Sequence, residues 1–140
     1  MDYIITVTNW NTSKEALCKV RRKVFIEEQQ VPEELECDEY DESSIHILAT
    51  DNSNQAIASA RMKPDGHIGR MAVLSEHRHH GLGTAILITL IDLARSKKMN
   101  SLYLHAQTTA ISFYEKQGFT INSDEFMDAG IPHKTMSLNL

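Results

Sequence analysis

The stretch Arg70-Met71-Ala72-Val73-Leu74-Ser75-Glu76-His77-Arg78-His79-His80-Gly81-Leu82-Gly83-Thr84-Ala85 decides the reading of this chain. An apolar, strand-like run enters a loop of Arg-x-x-Gly-x-Gly form, and a long apolar segment of helical character follows at once. The first turn of a helix carries N–H groups with no partner inside the helix, and the helix dipole adds partial positive charge at the same end. A pyrophosphate satisfies both. Gly81 and Gly83 remove the Cβ atoms that would hold a ligand off the backbone, and glycine accepts the positive φ such a turn needs. Successive N–H groups then form an anion-binding nest. Arg78 adds side-chain charge, joined by His79 and His80 when protonated. Strand, arginine and paired glycines together point to phosphate binding rather than to a plain helix entry.

Working outward, Tyr3–Thr8 is rich in β-branched residues and reads as a strand. Thr12 and Glu15 have capping-box spacing, which predicts a helix beginning near Ser13 and fading near Gln29, with Leu17, Val20 and Val24 on one face. An irregular acidic loop then runs to about Ser43. Residues 45–50 and 55–62 read as a hairpin around Asp51-Asn52-Ser53-Asn54, and Pro64-Asp65-Gly66 turns the chain into a strand over 67–74. Three antiparallel strands thus lead into the glycine loop. A helix over 83–98, apolar on nearly all sides, is expected to be largely buried. Residues 101–106 alternate as a strand, 109–117 form a short helix stopped by Gly118, and further strands are expected at 119–122 and 135–138. The sum is a mixed α/β (α+β) domain spanning residues 1–140, neither an alternating Rossmann pattern nor all-β.

Composition narrows the function classes. A length of 140 residues suits one domain with one core, and 41% hydrophobic with 24% charged residues is ordinary for a globular protein. No apolar run is long enough to span a bilayer, and the N-terminus has no basic region followed by an apolar core, so a cytoplasmic location is expected. Cys18 and Cys37 make no disulfide framework, which fits a reducing compartment. Cys37 lies among carboxylates, which disfavour its thiolate, so it is not read as a nucleophile. The net charge of −5 argues against nucleic-acid binding. Acidic charge is concentrated: between Ile26 and Arg61 there is no Lys or Arg, while Glu27, Glu28, Glu33, Glu34, Glu36, Asp38, Glu39, Asp41, Glu42 and Asp51 fall there. That run is either a solvated loop or a rim that attracts a cationic substrate. The cluster His77, His79 and His80 lacks the partners of a structural zinc site, so no metal is expected. Ile86 stands where a dinucleotide fingerprint wants its third small residue, and no Gly-Lys-Ser/Thr follows the loop.

The chain resembles the GNAT superfamily of acyl-CoA-dependent N-acyltransferases over almost its whole length. Arg78-His79-His80-Gly81-Leu82-Gly83 is similar to that family's pyrophosphate loop, and Ala110-Ile111-Ser112-Phe113-Tyr114-Glu115-Lys116-Gln117-Gly118-Phe119 to its later Ala-x-x-Phe-Tyr-x-x-x-Gly-Phe segment. Arg22-Lys23-Val24-Phe25-Ile26-Glu27-Glu28-Gln29, then Pro32, Glu36 and Asp38, with Gly130-Ile131-Pro132-His133, resemble the ElaA/YjcF-like subgroup of small bacterial members. The resemblance implies a GNAT fold: a central mixed, mostly antiparallel twisted sheet flanked by helices. It implies acetyl-CoA as co-substrate and an amine as acceptor. Met71, Ala72 and Val73 would pair with the pantetheine arm. Arg78, His79, His80, Gly81, Leu82, Gly83 and Thr84 would hold the pyrophosphate, and Gln107 and Ile111 would line the channel. Tyr114 would lie near the thioester sulfur. A homodimer is a family expectation.

Acetyl transfer needs an amine that loses a proton, a polarised thioester carbonyl and a stabilised leaving thiolate. A backbone N–H near residues 71–73 suits the carbonyl, and the Tyr114 phenol suits the sulfur. For the base, Glu28 after the first helix and His133 after Pro132, in a late turn, stand first. Asp128, Glu27, His67, His105 and a water chain stay open. A non-catalytic acyl-CoA-binding module of the same fold is the competing reading.

Overall fold

A computed structural model describes residues 2–31 and 38–140. In chain order the elements are β1 (Tyr3–Thr8), α1 (Trp10–Arg21) continuing into a π-helical turn (Arg22–Glu28), β2 (Ile45–Asp51), β3 (Ala56–Met62), β4 (His67–Val73), α2 (Leu82–Ser96), β5 (Ser101–Gln107), α3 (Ile111–Glu115), β6 (Thr120–Ile121), β7 (Phe126–Asp128) and β8 (Ile131–Asn139). They build an eight-stranded sheet in the order β1-β2-β3-β4-β5-β8-β6, with β7 also on β8. Every pairing is antiparallel except β4 with β5. This is the mixed, mostly antiparallel sheet with flanking helices that the resemblance implies.

Strand β3 is buried at every position and is built largely of small residues, Ala56, Ala58, Ser59 and Ala60. Small side chains let elements pack closely on both faces of the sheet. The larger apolar cluster joins Ile86, Leu87, Leu90, Ile91 and Ala94 of α2 to Ile47, Ile57, Ile68, Leu102 and Leu104 of the sheet. A second cluster packs Val20 and Val24 against Ala56, Ala72 and Leu74. Leu17, Val20 and Val24 are all buried, on one helical face as expected.

Other expectations need correction. α1 starts earlier than its capping-box spacing implies, because the Asn9 side chain accepts the Thr12 N–H at 2.9 Å and caps the helix. Ser13 is the non-helical kink inside it. α2 is not buried all round: its buried residues form one stripe, and Ile88 faces out at 42% exposure. The last strand is Ile131–Asn139 rather than four residues, since β5 offers it partners from Ser101 to Gln107. β7 was not legible at all. Of the acidic run, Asp41 is buried, and Asp38, though exposed, is paired, so neither is a free rim. Asp41 takes a bidentate pair from buried Arg21 (2.9 and 3.2 Å) and a bond from buried Arg61 (3.0 Å). Asp38 takes Arg61 at 2.7 Å and Arg70 at 3.2 Å. Glu33, Glu34, Glu36, Pro32 and Cys37 lie outside the described residues.

The two halves of the sheet meet at the turn before β4. Gly66 has φ +94°, and its carbonyl accepts the Tyr103 N–H at 3.1 Å. A Cβ there would stand 2.7 Å from the Ser101 carbonyl oxygen. Gly66→Ala therefore combines backbone strain with a clash that neither strand can relieve. We expect it to lower unfolding free energy by about 2–3 kcal/mol, measured by urea denaturation.

Candidate active site

β4 and β5 pair only at His67–Tyr103 and Ile68–Leu104. Beyond those two pairs they part. Two features of β4 accompany this. Arg70 has φ +49°, and the register of β4 on β3 shifts between Ser59 and Arg61. Such a bulge bends a strand and adds local twist. Along residues 69–73 the β4 backbone has no β5 partner opposite it.

The parted strands enclose a cavity of about 420 Å³. From β4 it is lined by His67, Ile68, Gly69, Arg70 and Met71, and from β5 by Leu104, His105 and Gln107. Phe25, Gln29 and Val31 close one side, Tyr114 and Ala110 another, and Asp128, Ala129, Ile131 and His133 the third. The π-helical turn and the residues just after it supply the first group. The turn faces Val24 into the second core cluster while Phe25 and Gln29 line the cavity. π-Turns of this kind are frequent at functional sites. Phe25, Gln29 and Val31 are site residues that composition and spacing did not single out. The Gln107 side-chain amide donates to Gln29 Oε1 at 3.2 Å and ties the two sides together.

Tyr114 is half-buried in the wall, and burial pushes its phenol up to about 12. Its hydroxyl contacts Met71 Sδ at 4.0 Å, a weak acceptor. His133 is buried, and it lies within β8 rather than in a turn, paired with Gln107 on one side and Phe126 on the other. Its Nδ1 lies 2.6 Å from the Ile131 carbonyl oxygen. A carbonyl only accepts, so Nδ1 carries a proton, and in the neutral imidazole Nε2 is the nitrogen with the lone pair. Tyr114, Met71, Gln107 and His133 therefore share one cavity. Ile111 is not among its lining residues and packs against the core instead.

Beyond the end of β4, Gly81 caps α2 in the left-handed conformation, φ +82°, and no side chain caps that helix. Nothing lies within 4 Å of where a Gly81 Cβ would stand. His79 is also left-handed, φ +65°. Alternating backbone of this kind turns N–H groups into a concave nest. His79 and His80 are exposed, while the side chains of Leu82 and Ala72 are buried and leave only their backbone for a ligand. At Gly83 a Cβ would meet Phe113 at 3.5 Å and Val73 at 3.9 Å, ordinary contact distances, so packing alone does not require glycine there.

Arg78 is already engaged. Its Nε donates to the Val73 carbonyl at 2.8 Å, and its terminal nitrogens form a bidentate pair with Glu28 at 2.5 Å. The Arg78 hydrogen bond holds the Glu28 carboxyl below the usual carboxylate range. Glu28 is partly exposed and does not line the cavity. Among the described residues no three His, Cys, Asp or Glu side chains gather as metal ligands would. No helix among them is long and apolar enough to cross a membrane.

Comparison with known proteins places this arrangement. Residues 11–140 match the acetyltransferase (GNAT) domain family. YyaT of Bacillus subtilis, described as an uncharacterized protein, is 43% identical over 129 residues, 88% of this chain and 86% of that one. YjcF of the same organism, described as an uncharacterized N-acetyltransferase, is 40% identical over 120 residues, 84% of this chain and 86% of that one. The crystal structure of Escherichia coli ElaA shares the fold with a TM-score of 0.85 at 24% identity, over 98% of this chain and 99% of its own. The chain therefore belongs to the GNAT acetyltransferase family.

Proposed function

We propose that this protein is an acetyl-CoA-dependent N-acetyltransferase that passes the acetyl group directly to a primary amine of a small molecule or peptide. The observation that carries this reading is the gap between β4 and β5, with Tyr114 in its wall and a helix N-terminus without a side-chain cap beyond its end. An acyl-CoA suits that shape. The N–H groups of Leu82, Gly83 and Thr84, with the nest at His79, His80 and Gly81, receive its diphosphate. Arg78 joins them by giving up Glu28. The backbone of Met71, Ala72 and Val73 receives its amide-bearing arm, and an N–H of this segment polarises the thioester carbonyl. Gln107 lines the same gap.

His133 is the preferred base, because the residue lines the cavity and its Nδ1 is held by the Ile131 carbonyl, which leaves Nε2 of the neutral ring as the acceptor. It takes a proton from the acceptor as the amine nitrogen bonds to the thioester carbon. Glu28 is a weaker choice while Arg78 stabilises its ionised form and so reduces its proton affinity. When the carbon–sulfur bond breaks, its electron pair stays on sulfur, and the Tyr114 hydroxyl donates to it. A phenol near 12 holds its proton at neutral pH. Full transfer to an ordinary thiolate, whose conjugate acid lies near 8.5, is uphill by about 5 kcal/mol. Tyr114 therefore acts first by hydrogen bonding, in a pocket that lifts the thiolate's proton affinity as well. Its present contact with Met71 sulfur is cheap to surrender.

The competing reading is an acyl-CoA-binding module without turnover. A thiol-release assay with acetyl-CoA and a broad amine panel separates the two, since binding without release on any amine supports the module. Tyr114→Phe is expected to lower kcat about a hundredfold while calorimetry finds acetyl-CoA affinity near wild type; undiminished turnover removes the donor role from Tyr114. His133→Gln is expected to lower kcat by a similar factor, about a hundredfold, and by more than Glu28→Gln does. The opposite ranking, read from steady-state kinetics of both variants, returns the base assignment to Glu28.

A further inference from the structure

Five rings stand in an unbroken row where β4, β5, β7 and β8 meet. Tyr103 stacks on His67 (centroids 4.7 Å apart, 15° between planes), and His67 leans on His105 at 4.8 Å. His105 meets Phe126 edge-on at 5.4 Å, and Phe126 stacks on His133 at 6.0 Å. His67, His105 and His133 all line the cavity. Asp65 lies at one end of the row, taking the Tyr103 hydroxyl at 2.6 Å. Asp128 lines the cavity near the other end, where its charge acts on His105.

Two groups in this wall have nothing to hold. Among the described residues the Asp128 carboxylate makes no hydrogen bond or ion pair, and the His67 ring makes no hydrogen bond. Burial, with the neighbouring His105 adding to it, pushes His67 down to about 4. Burial lowers His105 too, against the pull of Asp128. Both imidazoles are neutral at physiological pH, so each offers ring faces and one acceptor nitrogen without positive charge, although His105 Nδ1 already lies 3.1 Å from the Thr135 hydroxyl. Of the nearby cations, Arg70 lines the cavity with Asp38 bonded to it, and Lys63 lies over the Tyr40 ring at 3.9 Å while its charge acts on both His67 and His105. Ring faces, acceptor nitrogens and an unpaired carboxylate together favour a cation.

We propose that this wall is a subsite for a second ammonium group, so that the acceptor is an aliphatic diamine or a longer polyamine. This rests on the transferase reading for the first amine, which meets the thioester near Met71 and Tyr114. The second amine reaches Asp128 and the His67–His105 wall. An acceptor with a carboxylate in that place meets Asp128 as a like charge.

The test compares putrescine and cadaverine with butylamine and γ-aminobutyrate, in wild type and in Asp128→Asn, at fixed acetyl-CoA. Asp128 is on the surface of β7, where an isosteric change is tolerated. We expect kcat/KM for the better diamine to exceed that for butylamine about tenfold, the size of one cation–ring or ion-pair contact, and γ-aminobutyrate to be poorest. Asp128→Asn should remove most of the diamine preference. In parallel, putrescine is titrated into the protein without acetyl-CoA while the His67 and His105 ring resonances are followed by NMR. They should shift, and shift less in Asp128→Asn. Butylamine turned over as well as either diamine, or γ-aminobutyrate preferred, overturns the subsite and leaves the transferase standing. Ring shifts with no turnover of any amine keep the subsite and overturn the transferase. No turnover and no shifts overturn both.

Discussion

The site depends on the failure of two neighbouring strands to stay together. A parallel pair would ordinarily continue along the full length of both partners. Here β4 and β5 share two residue pairs and then separate. The Gly66 turn anchors their common start, and the left-handed Arg70 marks where β4 bends away. Backbone polar groups left without a partner are costly when buried. The divided sheet therefore keeps a row of main-chain donors and acceptors waiting at the edge of a cavity. Everything chemical in the molecule is arranged around that edge.

The elements around it contribute in different ways. α2 supplies a helix terminus, and its apolar stripe locks it to the sheet. The π-helical turn swings Phe25 and Gln29 over the opening. The Arg21–Asp41–Arg61–Asp38–Arg70 chain of ion pairs ties the end of α1, the end of β3 and the bend in β4 into one unit. Buried pairs of this kind add little net stability against an apolar alternative, but losing one partner is expensive. Their use here is positional: they fix the bend that opens the sheet.

Much of this was legible in the residues, and the division follows sequence distance. The glycine loop is local, since strand, arginine, glycines and helix are contiguous, so its place and its helix end could be read directly. Tyr114 came from a contiguous segment in the same way. His133 was picked out for its chemistry but assigned to a turn, because its strand is defined by pairing with β5 and β7 across the chain. Asp38 and Asp41 read as unpaired charge because their partners, Arg21, Arg61 and Arg70, belong to other elements. Pairing between distant elements leaves no periodic mark in a single sequence.

The Arg78–Glu28 pair joins residues fifty positions apart, and it has a thermodynamic meaning beyond its geometry. In the free protein the loop's guanidinium already holds an anion, tethered at an effective concentration of order millimolar or more. A diphosphate that takes the same fork exchanges one anion for another, and its gain is the difference. The displaced carboxylate then becomes a bare charge at the end of the helix that roofs the cavity. By linkage, whatever neutralises that charge strengthens diphosphate binding by the same factor that the diphosphate strengthens its own binding. A ligand for the Arg78 fork and a partner for the freed Glu28 would thus be coupled through a single arginine.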